Sequence, residues 1–340
     1  MRLLVTGGCG FIGANFVYMM LAKHPDMVIV NLDKLTYAGN RFSLLPLEQE
    51  HGGKRYHFVH GDIANAELVA HIITEHKIDA VVNFAAESHV DRSIADCNPF
   101  ILTNVLGTQV LLDTARRLGL PKFVHVSTDE VYGTLGPTGK FTEDTPLAPN
   151  SPYSASKASA DMLCRAFYET YDFPVTVTRC SNNYGPFQFP EKLIPLMIMK
   201  AARGESLPVY GDGMNVRDWI FVTDHCRGVE LTLLAGKPGQ AYNFGGNAEK
   251  PNIEVVKTIL EALGQPETLI NYVKDRPGHD RRYAMDYSLA ASELGFAPEY
   301  TFERGTKETL AWYKDNAAWM EQVQSGAYRT FMDKWYGERQ

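Results

Sequence analysis

Thr6-Gly7-Gly8-Cys9-Gly10-Phe11-Ile12-Gly13 decides how the whole chain is read. It lies between an apolar run at residues 2–6, which reads as a strand, and an amphipathic stretch at 11–22, which reads as a helix. Its glycines satisfy both GxGxxG (Gly8, Gly10, Gly13) and GxxGxxG (Gly7, Gly10, Gly13). Such a turn lets backbone approach a pyrophosphate closely and packs the helix tightly on the strand. The phosphate then sits where the helix N-terminus points its N–H groups. Asp33 stands twenty residues after Gly13, at the end of a second apolar run. An acidic residue there accepts hydrogen bonds from an adenosine ribose and disfavours a 2′-phosphate. The expected cofactor is therefore NAD rather than NADP.

Outward from this turn, short apolar runs alternate with amphipathic stretches. Strands are expected at 2–6, 27–32, 56–60, 79–84, 122–127 and 175–179, and helices at 11–22, 67–75, 100–118 and 153–171. The strands are continuous apolar runs, as strands covered on both faces are. Repeated βα alternation implies a parallel sheet with right-handed crossovers. After Ser181 the pattern changes: a Pro-punctuated segment, a helix at 193–203, a strand at 216–222, a helix at 223–234, then short helices among Gly/Pro turns. The expected fold is α/β, a Rossmann-like doubly wound parallel sheet with a smaller mixed α/β C-terminal substrate domain. The expected division is an NAD-binding domain at 1–181, with a returning segment near 215–235, and a substrate domain at 182–340.

Composition sets limits on partners. The 340 residues carry 33 Lys+Arg against 40 Asp+Glu, a formal charge of −7. Net acidity argues against non-specific nucleic-acid binding, which needs a cationic footprint. No window is apolar enough for a membrane span, and the N-terminus enters the Gly-rich turn too soon for a signal peptide. The cysteines, Cys9, Cys97, Cys164, Cys180 and Cys226, are odd in number with no CxxC. That argues against a disulfide framework and for buried or partly buried thiols in a cytoplasmic protein. No His/Cys spacing suits a metal.

Tyr153-Ser154-Ala155-Ser156-Lys157 supplies the chemistry. On a helix, residues four apart share a face. An ammonium beside a phenol lowers its pKa, and a Tyr so tuned exchanges a proton with an alcohol while hydride moves to or from nicotinamide. Upstream, Ser127-Thr128-Asp129-Glu130 puts a hydroxyl and two carboxylates where a strand opens into a loop. Simple alcohol oxidation needs the hydroxyl and the Tyr/Lys pair only. Two further carboxylates suggest a second proton-transfer problem, such as removing a C–H proton and protonating a leaving hydroxyl. Asp62, after the third strand, suits either the cofactor or a helix N-cap.

Together with Asp33–Asn40, Ala85–Ser93, Cys180–Pro186, Phe189–Pro195, Arg217-Asp218-Trp219 and Arg276–Tyr283, these stretches resemble the extended short-chain dehydrogenase/reductases, and within them the dTDP-glucose 4,6-dehydratases, along almost the whole chain. The resemblance implies a hydro-lyase that oxidises C4 of dTDP-glucose, eliminates water across C5/C6 and returns hydride to C6. Tyr153 takes the 4-hydroxyl proton, Lys157 tunes Tyr153 and holds the nicotinamide ribose, and Thr128 holds the C4 oxygen. Glu130 removes the C5 proton and Asp129 protonates the departing 6-hydroxyl. By the same resemblance NAD meets Gly7, Gly10, Phe11, Ile12, Gly13, Asp33, Lys34, Leu35, Thr36, Asp62, Ile63, Ala85, Ala86, Ser88, Thr103, Tyr153, Lys157 and Asn183. The sugar nucleotide meets His89, Thr128, Asn182, Lys192, Leu193, Pro208, Tyr210, Arg217, Asn252, Arg276 and His279. A diphosphate needs cations, and Arg binds its oxygens bidentately. The roles of Arg281 and Arg282 stay open. The family also implies a homodimer and a place in deoxysugar formation, for rhamnose or a glycosylated natural product.

Three other readings share parts of this pattern. A nucleotide-sugar 4-epimerase needs the NAD site and the Tyr/Lys pair but not Asp129 and Glu130. A dehydratase of another NDP-glucose differs only in the base it reads. A non-enzymatic NAD sensor has no use for Tyr153, Lys157 or the two carboxylates. The chain departs from the family at Ala248-Glu249, where Asn-Glu is common, and in a short loop at 134–150.

Overall fold

The structure is a computed structural model and describes residues 1–323; the end of the expected substrate domain, 324–340, lies outside them. Among the described residues twelve strands run in chain order: β1 (Arg2–Thr6), β2 (Val28–Asp33), β3 (Tyr56–His60), β4 (Ala80–Asn83), β5 (Phe123–Thr128), β6 (Val175–Cys180), β7 (Asn182–Tyr184), β8 (Leu207–Tyr210), β9 (Val216–Phe221), β10 (Ala241–Phe244), β11 (Glu249–Pro251) and β12 (Ile270–Val273). Seven of them form one sheet in the order β10-β6-β5-β4-β1-β2-β3. Every neighbouring pair in it is parallel. This is the doubly wound order 3-2-1-4-5-6 with one strand added beyond β6.

Alternation along each strand sorts side chains to two cores. Leu3 and Val5 of β1 pack with Phe16 and Val17 of the helix Phe11–Lys23 and with Val229 and Leu233 of the helix Val222–Ala235. Leu4 points the other way, among Val69, Leu111 and Phe167 from the helices Ala66–Glu75, Thr108–Arg117 and Pro152–Tyr171. Both faces of the sheet are therefore covered, which is why the strands read as unbroken apolar runs.

Beyond β6 the chain builds a three-stranded sheet, β11-β9-β7, and a parallel pair, β12-β8. Their core gathers Tyr184, Met197, Trp219, Ile259, Phe302, Tyr313 and Trp319.

Two differences from expectation bear on the site. The helix expected at 100–118 is not uniform: a short α-turn, Asn98–Phe100, leads into π-helical turns at Ile101–Gly107, and only Thr108–Arg117 is regular α-helix. A Cβ on Gly107 would lie 2.6 Å from Ile63, so the absent side chain lets these turns press against the strand-end loop. The segment between β2 and β3, where no element is expected, carries a 3₁₀ turn Arg41–Leu44 and the helix Leu45–His51. Of the five cysteines, only Cys97 is exposed.

Candidate active site

The Gly-rich turn is cramped on its inner side. Gly7 has φ +70°, and a Cβ there would lie 2.6 Å from Ala85 N; one on Gly13 would lie 2.3 Å from Gly7 O. The turn is tied down by Gly8 N–H to Asn31 Oδ1 at 3.0 Å and Cys9 N–H to Asp33 Oδ2 at 2.9 Å. Asp33 Oδ1 accepts from Leu35 N–H at 2.8 Å, so Asp33 braces the turn and the loop after β2 together. The helix Phe11–Lys23 starts at Gly10 with no side-chain cap and no acidic residue in its first turn. Its positive dipole end therefore faces the cleft that Gly10, Phe11 and Ile12 line. This cradle fits a dinucleotide pyrophosphate.

Among the other residues expected at the cofactor, Gly7, Gly13, Asp33, Lys34, Thr36, Asp62, Ile63, Ala85, Ala86, Ser88, Thr103, Tyr153, Lys157 and Asn183 line the same cleft, and Leu35 does not. Asp62 is not the N-cap of the following helix; Asn65 is, accepting from Leu68 N–H. Asp62 instead accepts from Ala64 N–H at 2.9 Å and pairs with Lys34 Nζ at 2.6 Å. Its pKa falls because the hydrogen bonds from Lys34 and Ala64 outweigh desolvation.

The chemistry gathers at the C-terminal end of β5, which runs into a 3₁₀ turn, Asp129–Tyr132. Thr128 Oγ1 accepts from Glu130 N–H at 3.3 Å and donates to Asp129 Oδ1 at 3.2 Å. Asp129 Oδ2 is buried without a hydrogen-bond partner among the described residues. Burial, then the neighbouring Glu130, pushes the Asp129 carboxyl well above its ordinary range. Glu130 is raised too, by burial, but Arg276, Lys192 and Arg217 pull it back. Two adjacent carboxylates thus have different proton affinities, the arrangement that separates an acid from a base.

Tyr153 and Lys157 sit on the helix Pro152–Tyr171 and face this turn. The structure corrects one expectation. The Tyr153 phenol is not depressed but raised well above its usual value, by burial and then by Glu130. Lys157 Nζ is turned to Val126 O at 2.7 Å rather than held against the phenol.

The expected cations converge less tightly. Lys192 and Asn182 line the cleft; Leu193, Pro208, Tyr210, Arg217, Asn252, Arg276, His279 and His89 do not. Arg217 is buried over the Tyr283 ring and donates to the carbonyls of Val216 and Asp280. Arg276 lies 3.4 Å from Asp91, whose other oxygen accepts from Tyr210. Both arginines still act on the site electrostatically, through their pull on Glu130. Asn252 opens the helix Asn252–Ala262 and its Oδ1 is a buried atom without a partner. His279 pairs with Asp275 at 2.6 Å, yet burial and the nearby arginines bring its pKa down to about 4.

Arg281 and Arg282 resolve as surface ties. Arg281 forks onto Asp212, and Arg282 bonds Glu249 and the carbonyls of Gly136 and Gly139, bracing the short loop at 134–150. The departure at Ala248 keeps a backbone bond, Ala248 N–H to Asp218 Oδ1 at 2.8 Å. Sequence reading does not assign Glu87, Gln188 or Glu191, which also line the cleft. Glu191 is buried and accepts from Tyr37 OH and Arg92 Nε. Its partners come from residues far apart in the chain, and its only local signal is the neighbouring Lys192.

Residues 4–309 match the family model described as GDP-mannose 4,6 dehydratase. The chain is 56% identical to the dTDP-glucose 4,6-dehydratase of Xanthomonas campestris pv. campestris (strain B100), over 96% of this chain and 97% of that one. It superposes on the crystal structure of dTDP-glucose 4,6-dehydratase from Bacillus anthracis str. Ames in complex with NAD (52% identity, TM-score 0.89, 95% of this chain and 100% of the other). It also superposes on the dTDP-glucose 4,6-dehydratase from Streptomyces venezuelae with NAD and TYD bound (49% identity, TM-score 0.92, the same shares).

Proposed function

The chain belongs to the dTDP-glucose 4,6-dehydratases of the extended short-chain dehydrogenase/reductase family, and we propose that it is an NAD-dependent hydro-lyase converting dTDP-glucose to dTDP-4-keto-6-deoxyglucose. The observation that carries this is the pair Asp129 and Glu130, adjacent at one strand end, on the same cleft as Tyr153, with their proton affinities set apart. NAD, when bound, supplies a reversible hydride acceptor. The Gly7–Gly13 turn, the strand-end residues of β2 to β4, Thr103, Lys157 and Asn183 hold it.

Tyr153, acting as the phenolate that burial and Glu130 disfavour, takes the proton of the sugar 4-hydroxyl, whose oxygen Thr128 holds by hydrogen bond. Oxidation at C4 makes the C5 hydrogen acidic. Glu130, kept closer to the ionised form by three cations, removes it. Asp129, whose acid form burial and Glu130 favour, gives its proton to the departing 6-hydroxyl. Lys157 holds the nicotinamide ribose. Lys192 and Asn182, on the cleft, meet the sugar nucleotide; Arg217, Arg276, His89, Leu193, Pro208, Tyr210, Asn252 and His279 lie outside its lining and are kept as sugar-nucleotide contacts on the family resemblance.

A homodimer completes the proposal. Ile101, Leu102 and Leu106 on the π-helical turns and Met162 on the helix Pro152–Tyr171 are large apolar side chains left exposed. These two elements pack against each other, so a second copy covers the face they share. We place the enzyme in the cytoplasm, consistent with five free cysteines.

The test is product mass after incubation with dTDP-glucose. Loss of one water is expected. Unchanged mass overturns the reading, and a sugar inverted at C4, seen by NMR of that material, replaces it with a 4-epimerase.

A further inference from the structure

Behind Tyr153 and Lys157 lies a chain of buried polar groups that the proposed steps do not use. Lys157 Nζ is 3.5 Å from His125 Nε2, and that nitrogen is 3.8 Å from Asp161 Oδ1. Asp161 Oδ2 accepts from Arg179 Nε at 2.8 Å. Arg179 Nη1 donates to Tyr132 OH at 2.7 Å, and Tyr132 donates to Asn243 Oδ1 at 2.9 Å. His125, Lys157 and Asp161 are each at most 3% exposed.

The hydrogen-bond pattern fixes the histidine tautomer. Thr6 Oγ1 accepts from Ala85 N–H and donates to Asn83 Oδ1 at 2.6 Å. That turns the Asn83 amide NH₂ toward His125 Nδ1 at 3.1 Å. Nδ1 is thus the acceptor, and the ring proton sits on Nε2, between Lys157 and Asp161. An ammonium offers no acceptor, so this N–H directs its positive end at Asp161 Oδ1. At 3.8 Å the approach is electrostatic, and that oxygen makes no hydrogen bond among the described residues. Burial, with Lys157 and Arg179 nearby, keeps the ring neutral.

A buried ammonium without a counter-charge sheds its proton. The groups facing Lys157 are Tyr153, Asp161 and Cys164 from its own helix, His125 from β5 and Cys180 from β6. Burial raises the Cys164 thiol and pushes Cys180 up to about 12, so both are neutral. Asp161 is the formal negative charge of this set, four residues after Lys157 on the same helical face. Desolvation lowers the Lys157 pKa, and Asp161 opposes it most strongly.

We infer that Asp161 is a positioning residue: its carboxylate, anchored by Arg179 on one oxygen and with His125 Nε2 3.8 Å from the other, supplies the counter-charge that keeps Lys157 protonated where it bonds Val126 O. The dehydratase reading enters only through the role of Lys157.

The test titrates Lys157 directly, in the full chain as purified. Lysine side chains are enriched in carbon-13 at Cε, and the Lys157 resonance is identified by its loss in Lys157→Arg. The wild-type midpoint is expected below the ordinary lysine value but well above the ~5–6 of buried lysines without a partner. Asp161→Asn should lower it by about one unit or more, and Asp161→Glu, which returns the charge, should restore most of that shift. A wild-type midpoint below about 8 overturns the inference. So does an unmoved midpoint in Asp161→Asn, or a Glu variant no better than Asn. If the Asn variant does not fold, the wild-type midpoint decides alone. The readout involves no turnover, so a failure of the dehydratase reading appears separately, in product mass.

Discussion

Asp129 and Glu130 are neighbours in the chain and yet live in different fields. Asp129 is buried with one oxygen unpartnered, and its largest electrostatic neighbour is another carboxylate. Glu130 looks toward Arg276, Lys192 and Arg217. Glu130→Gln keeps the size of the side chain and removes only the base. Elimination should slow by about 10²–10⁴-fold, while oxidation at C4, which depends on Tyr153, slows far less. Rapid mixing with dTDP-glucose should then show the near-ultraviolet absorbance of reduced cofactor building up and persisting. Equal loss of oxidation and elimination would show that one group serves both steps.

The helix Pro152–Tyr171 carries Tyr153 in its first turn, so its start must be exact in register. A reciprocal capping box does this: Ser151 Oγ accepts from Ser154 N–H at 3.1 Å, and Ser154 Oγ accepts from Ser151 N–H at 2.9 Å. Pro152 occupies the position that tolerates a missing N–H. Ser151→Ala should cost about 1 kcal/mol in urea unfolding and lower turnover as well, because the frayed turn is the one holding the phenol. Unchanged stability would show that tertiary packing alone sets the helix start. At this scale the first half of the chain was legible: β1 to β6 lie in continuous apolar runs, and helices long enough for periodicity to speak alternate with them. β7, β8, β10, β11 and β12 have three or four residues each, too few for a period to declare itself. That Thr128 to Glu130 and Tyr153 with Lys157 share one cleft was legible because each is a local run. The bracing of Lys157 was not, because His125, Asp161 and Arg179 meet only after three separate elements have packed.

For the molecule as a whole, a formal charge of −7 counts every carboxylate as ionised. Burial contradicts that at several points. Asp218, on β9 beneath Gly245, is pushed up to about 6. Its folded pKa exceeds its unfolded one, so the protonated form favours the fold. That contribution is complete below the unfolded value, 3.8, and is lost as pH rises through about 6. Asp218→Asn, neutral throughout and still able to accept from Ala248 N–H, should gain on wild type by about 2–3 kcal/mol from about pH 4 to about pH 7. Denaturant unfolding at the two pH values measures it, and a constant difference would refute it. The main sheet has a further consequence, one of timing. Its last strand, β10, pairs with β6 across sixty intervening residues, and the smaller sheet's β7 and β9 are made in between. On a ribosome β6 emerges well before its outer partner and waits with a bare edge, the kind that invites pairing with a neighbouring nascent chain. The sheet is therefore finished only when residues 241–244 have left the exit tunnel.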